Sequence, residues 1–164
     1  MLKSFKCAAD GMIYTLKNER NMCSHTVAAF YILLLSLFFE FNVEKYAVLF
    51  LTIGSVMALE MVNTSIEGII DICAKEYNAT AKMAKDIAAG AVMISSIVAV
   101  VIGLLLFCDV SSYVKIWLFF CSHKIILMLF LLSIFVSAVY IRFGPVEIKN
   151  QLKCGIKFIK NLKV

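Results

Sequence analysis

The sequence predicts an all-α integral membrane protein: an N-terminal amphipathic surface helix, three transmembrane helices and an extra fourth span. Three observations predict it. Hydrophobic residues make up 62% of the 164 positions and only 16% are charged, and the mean hydropathy is +0.92, far from the averages of soluble domains. Pro145 is the one proline and there are seven glycines, so long helices run uninterrupted. The apolar runs do not alternate with a period of two, which argues against a β-barrel.

Residues 2–18 read as an amphipathic helix in the headgroup layer. Leu2, Phe5, Ala9, Met12, Ile13 and Leu16 recur at helical spacing, while Lys3, Lys6, Asp10 and Lys17 fall elsewhere. A loosely held tail is the plainer alternative. The polar cluster Lys17–Asn21 precedes a first span from about Thr26 to Phe41. Asn42-Val43-Glu44-Lys45 makes a turn, and a second helix runs from about Tyr46 to Ile72. After a polar loop, Ala74–Lys85, a third span covers about Ile87 to Phe107. His123 and Lys124 divide the remaining apolar region into an interfacial aromatic piece, Ile116–Ser122, and the run Ile125–Ile141, just long enough to span.

The division that follows is a membrane domain over 1–108, an extra apolar region over 109–141 and a basic tail over 142–164. Lysines at the N-terminus, in the 74–85 loop and in the tail then share one side, so the positive-inside rule places both termini in the cytoplasm of a multi-pass cell-membrane protein. Lys115 and Lys124 fall on the outer side, against the bias. The net charge of +5 reflects this orientation, not nucleic-acid binding, because no basic–aromatic interleaving accompanies it. The six cysteines are dispersed without any CxxC pair, which disfavours zinc or a disulfide framework. The first 25 residues lack the apolar core of a signal peptide.

One segment departs from this apolar background. Glu60, Asn63, Glu67 and Asp71 are separated by three, four and four residues, so they share one face of the second helix. A charge deep in a bilayer costs at least roughly 2.5–3.5 kcal/mol unless paired, hydrated or bound to a cation. The column therefore reads as a site for a polyvalent cation or for proton transfer. The topology brings Glu19 and the Lys85-Asp86 pair to the same membrane face. Carboxylates near a lysine suit ATP with Mg²⁺, which takes one or two carboxylates and completes its shell with phosphate oxygens and water. No GxxxxGK[ST] loop occurs, which excludes a P-loop enzyme.

Glu60-x-x-Asn63-Thr64-x-x-Glu67-x-x-x-Asp71, followed by Ala84-Lys85-Asp86-Ile87-Ala88-Ala89-Gly90-Ala91-Val92, resembles the signature of the small prokaryotic diacylglycerol kinase/undecaprenol kinase family. Phe5-Lys6-x-Ala8-x-x-Gly11, Glu19-Arg20-Asn21 and His25 add to the likeness, which covers about residues 1–108. The resemblance implies an ATP-dependent lipid kinase, a homotrimer of three-span subunits with active sites between subunits at the cytoplasmic interface. It implies Glu60 as general base, Glu19 and Glu67 as magnesium ligands, and Asn63, Lys85 and Asp86 at the phosphates. Asp71 and the Glu76-Tyr77 loop would lie toward the adenosine. The Glu19–His25 pattern looks like the undecaprenol kinase branch, with diacylglycerol as the alternative substrate. Asp10 stands where a basic or neutral residue is expected, and residues 109–164 fall outside the likeness, so a fourth span must pack on the periphery.

Plainer readings stand beside these roles. Glu60, Asn63 and Glu67 could be a polar network joining helices, and Lys85-Asp86 a helix-start charge pair. Ala88–Ala91 reads as close helix packing. A small proton or cation transporter is the rival function, but it predicts a mid-membrane carboxylate and has no need of Lys85-Asp86. A silent assembly partner is a third reading, disfavoured by the retained Glu60, Glu67 and Asp86.

Overall fold

A computed structural model describes residues 2–74, 76 and 78–161, with side chains through Gly144. These residues form six helices and no strand: α1 Leu2–Asn18, α2 Arg20–Ser36, α3 Val43–Cys73, α4 Ala79–Leu106, α5 Val110–Ser122 and α6 Lys124–Asn161. Three stretches are long and apolar enough to cross a membrane: α3, α4 and Lys124–Gly144 of α6. The fold is the all-α membrane class that the composition predicts.

The surface helix lies where the spacing places it. Its apolar residues stay outward, Leu2 90% and Phe5 75% exposed, as a helix facing lipid requires. The expected polar cluster at 17–21 shrinks to one extended residue, Glu19, with φ −100° and ψ 118°. Backbone hydrogen bonds from Glu19 to Thr15 and from Cys23 to Glu19 carry the chain across it. The helix expected as the first span, α2, thus starts at Arg20 instead of Thr26. It ends at Ser36 instead of Phe41, because the next turns tighten into i→i+3 bonds between Leu34 and Phe39. Its 17 residues rise about 26 Å, short of the ~30 Å of a hydrocarbon core, and α2 is not among the three stretches long and apolar enough to cross a membrane.

Asparagine caps set the next two starts. The Asn42 side chain accepts from the Lys45 amide at 2.9 Å, so α3 begins at Val43. Asn78 accepts from the Thr80 and Ala81 amides, so α4 begins at Ala79. The polar stretch expected as a loop through Lys85 is therefore mostly helix, with only 74–78 between α3 and α4. Asp109 caps α5 in the same way, and the chain breaks at His123, where the sequence divides the last apolar region. Within α6, Gly144 adopts φ 66° and ψ 163°, a conformation essentially restricted to glycine, and the backbone is helical again up to Asn161.

The helices α3 and α4 form the most extensive pair, and α2 lies on α3. α6 packs on α1, α2 and α5, and among the described residues it touches neither α3 nor α4. This is the peripheral position that an added span needs. Its principal polar tie is the Tyr31 hydroxyl, which hydrogen-bonds Ser133 at 3.0 Å and Ser137 at 3.1 Å. At the α2–α3 turn the ring of buried Phe39 meets those of Phe107 at 4.9 Å and Tyr113 at 5.1 Å. Beside them Lys115 pairs with Glu40 at 2.7 Å, which neutralises one of the two lysines that run against the charge bias.

Candidate active site

At the opposite end of the bundle from that aromatic cluster, α3 carries the acid column. Glu60 is 1% and Asn63 6% exposed, the only buried residues of α3 that are not apolar. Spacings of three and four turn both inward, while Met61 and Val62 between them face outward. Asn63 Nδ2 donates to Glu67 Oε1 at 2.9 Å, which holds the half-buried Glu67 carboxylate in place. That bond turns Asn63 Oδ1 the other way, and both it and Glu60 Oε2 are buried without a hydrogen-bond partner. Each such orphan costs roughly 1–3 kcal/mol, more when the group is charged.

Glu19 comes to the same place from the α1–α2 junction. Its side chain caps no helix. Burial pushes its carboxyl above the usual carboxylate range, and the neighbouring charges of Glu67 and then Glu60 push it the same way. Carboxylates that repel one another around orphaned oxygens form an arrangement suited to a cation or to a proton donor. Among the described residues no three His, Cys, Asp or Glu side chains are close enough to hold a metal ion unaided. A divalent ion here must take much of its shell from a ligand or from water, which fits Mg²⁺ and not a closed structural metal site.

The remaining candidates lie apart from this centre. Asp71 accepts an ion-paired hydrogen bond from Lys85, linking the end of α3 to α4. Asp86 is exposed on α4 and makes no hydrogen bond or ion pair among the described residues. Glu76 is exposed in the short connection, and Tyr77 lies outside the described residues. Sequence reasoning missed a group that the fold adds: Lys17, Arg20 and Arg142 line a cavity of about 230 Å³ together with Glu19, Cys23 and Gly144. Nothing in the sequence pairs Arg142 with Glu19; the antiparallel packing of α6 on α2 does.

A helical membrane protein with this acid-lined end belongs to the class of integral-membrane proteins that bind a cation or move a proton at the membrane surface. The comparisons give the particular family. Residues 6–107 match the model described as "Prokaryotic diacylglycerol kinase", and the chain belongs to that family. It is 38% identical over 105 residues to the undecaprenol kinase of Bacillus subtilis, covering 64% of this chain and 85% of that protein. It is 36% identical over 104 residues to the diacylglycerol kinase of Synechocystis, covering 63% of this chain and 59% of that one. The match ends at Phe107, so α5 and α6 lie beyond it.

Proposed function

We propose that the protein phosphorylates undecaprenol to undecaprenyl phosphate with ATP, from the cytoplasmic face, with Glu60 as general base. The observation that carries this reading is the buried Glu60 carboxylate, one oxygen of which is enclosed without any hydrogen-bond partner. An oxygen without a donor accepts a proton from a hydroxyl brought beside it. The lipid hydroxyl passes its proton to Glu60, and its oxygen bonds to the γ-phosphorus as the bond to the β–γ bridging oxygen breaks. ADP leaves, carrying the bond's electron pair. Phosphoryl transfer needs little else but positioning and neutralised charge.

Glu19 and Glu67 would hold Mg²⁺, which supplies that neutralisation against the phosphates. The Asn63–Glu67 hydrogen bond orients one of the two ligands. Asn63, Lys85 and Asp86 line the phosphate region in this reading, with Asp71, Glu76 and Tyr77 toward the adenosine. Releasing Lys85 from Asp71 is then part of nucleotide binding. Asp86 is exposed and has no partner among the described residues, which leaves it open to ligand, and a homotrimer with sites between subunits is the assembly this reading expects. Residues 1–108 form the kinase domain, and 109–141 and 142–164 an added span and a basic tail.

The fuller coverage of the Bacillus undecaprenol kinase, and the Glu19–His25 pattern, favour the polyprenol. Diacylglycerol is the second reading, since it presents a primary hydroxyl at similar depth. The test offers each lipid separately to detergent-purified protein with ATP and Mg²⁺, beside Glu60→Gln. Transfer mainly to undecaprenol, lost in the variant, is expected. Preference for diacylglycerol overturns the substrate but keeps the mechanism, and no transfer to either overturns the kinase chemistry.

A further inference from the structure

α6 builds two neighbouring cavities with α2, and their linings adjoin at Ile141 and Arg142 to outline a cleft. The polar cavity at the mouth holds Lys17, Arg20 and Arg142 with Glu19. The next residues inward on each wall, Val27 on α2 and Ile141 on α6, begin an apolar cavity of about 490 Å³ that ends at Phe38 and Phe120. From Val27 to Phe38 the wall rises about 16 Å, roughly one leaflet of the ~30 Å hydrocarbon core. Its potentially wet groups are spent on one another: the Tyr31 hydroxyl is bonded to Ser133 and Ser137, and Ser133 donates to the Phe130 carbonyl. The cleft is dry for one leaflet and cationic at its mouth.

We propose that this cleft is a holding site for the lipid phosphate that the kinase makes, with its phosphate at Lys17, Arg20 and Arg142 and its hydrocarbon between α2 and α6. The proposal rests on the lipid-kinase assignment. Two features select the product over bulk phospholipid. Lys17, Arg20 and Arg142 outnumber the one carboxylate among the residues lining the mouth, which favours a phosphate monoester dianion over a singly charged phosphodiester. Glu19 also faces Glu60 and Glu67, so the mouth adjoins the place where the new phosphate is formed. Arg142 offers a planar fork to phosphate oxygens, and it belongs to the span beyond the family match.

The test measures equilibrium binding of labelled undecaprenyl phosphate to the full-length protein in phosphatidylcholine nanodiscs, without ATP, for wild type, Arg142→Gln, Arg142→Lys and Ala138→Phe. Arg142→Gln should weaken binding about tenfold, with partial recovery in Arg142→Lys. Ala138→Phe, which fills the dry part of the cleft, should weaken it by blocking the chain. Phosphatidylglycerol should compete at least tenfold less well than the monoester. Equal affinity in wild type and Arg142→Gln, or equal competition by phosphatidylglycerol, overturns the proposal. Because the lipid phosphate is supplied ready-made, a failed transfer assay and a failed binding assay are read separately.

Discussion

The two ends of the bundle handle polar atoms in opposite ways. At the aromatic end two exposed carboxylates, Glu40 and Asp109, both have partners. Glu40 meets Lys115, whose charge and hydrogen bond hold the carboxyl below the usual range. Asp109 accepts from Ser111 and Ser112, which lower its pKa likewise, and Tyr113 donates to the Phe107 carbonyl at 2.9 Å. At the acid end, Glu60 and Asn63 keep oxygens without partners, and Glu19 sits among like charges. Polar groups that build a fold are satisfied within it, while groups that act on something else stay unsatisfied until it arrives.

The largest effect expected to sharpen this contrast is Glu60→Gln. Transfer of the γ-phosphate should fall by a factor on the order of 10²–10⁴, the worth of a general base, while thermal unfolding in detergent shows no loss of stability. A variant that unfolds instead would make Glu60 a packing residue and erase the contrast. Next comes Asn63→Ala, which frees Glu67. It should raise the Mg²⁺ concentration needed for half-maximal transfer about tenfold, in line with the cost of losing a group that orients a metal ligand, and added Mg²⁺ should recover most of the rate.

The acid end should also answer to pH with a definite sign. Glu19 has a raised pKa, and its protonated form cannot ligate a cation, so activity should fall on acidification at a higher pH than an ordinary glutamate sets. Glu67→Gln removes a repelling charge and should move that limb to lower pH in Mg²⁺-binding titrations. Stability of the metal-free protein should run the other way: a carboxyl raised in the folded state binds protons there more tightly, so stability declines as pH rises through its folded pKa. Excess Mg²⁺ should flatten that decline. The smallest effect belongs to the aromatic end. Lys115→Ala breaks an exposed ion pair, and it should leave transfer unchanged and the melting temperature nearly so. A large loss of transfer there would show that the two ends are coupled.

Much of this was legible in the residues alone. The 3.6-residue period of Glu60, Asn63 and Glu67, and the apolar runs, give helices, spans and the acid face, because helical geometry is local. Caps shift the boundaries: Asn78 starts α4 well before the apolar run, since a backbone hydrogen bond needs no hydrophobic neighbour. The Lys115–Glu40 pair and the cavity that Arg142 shares with Glu19 were not legible. Each joins positions far apart in sequence through the packing of α5 and α6, and no periodicity encodes such a meeting. The orphaned oxygens likewise belong to the tertiary structure, since only the surrounding helices exclude water from them.

The three hydroxyls of Tyr31, Ser133 and Ser137 have a consequence at a distance. In hydrocarbon an apolar helix gains little by choosing a protein neighbour over an acyl chain, so α6 could slide along α2 at small cost. The hydroxyl trio opposes it, because a slip of one turn, about 5.4 Å, would part the Tyr31 hydroxyl from both serines and leave it in lipid. It works as an index pin in mid-membrane: by fixing the sliding coordinate there, it decides which residue of the added helix stands beside Glu19 at the rim.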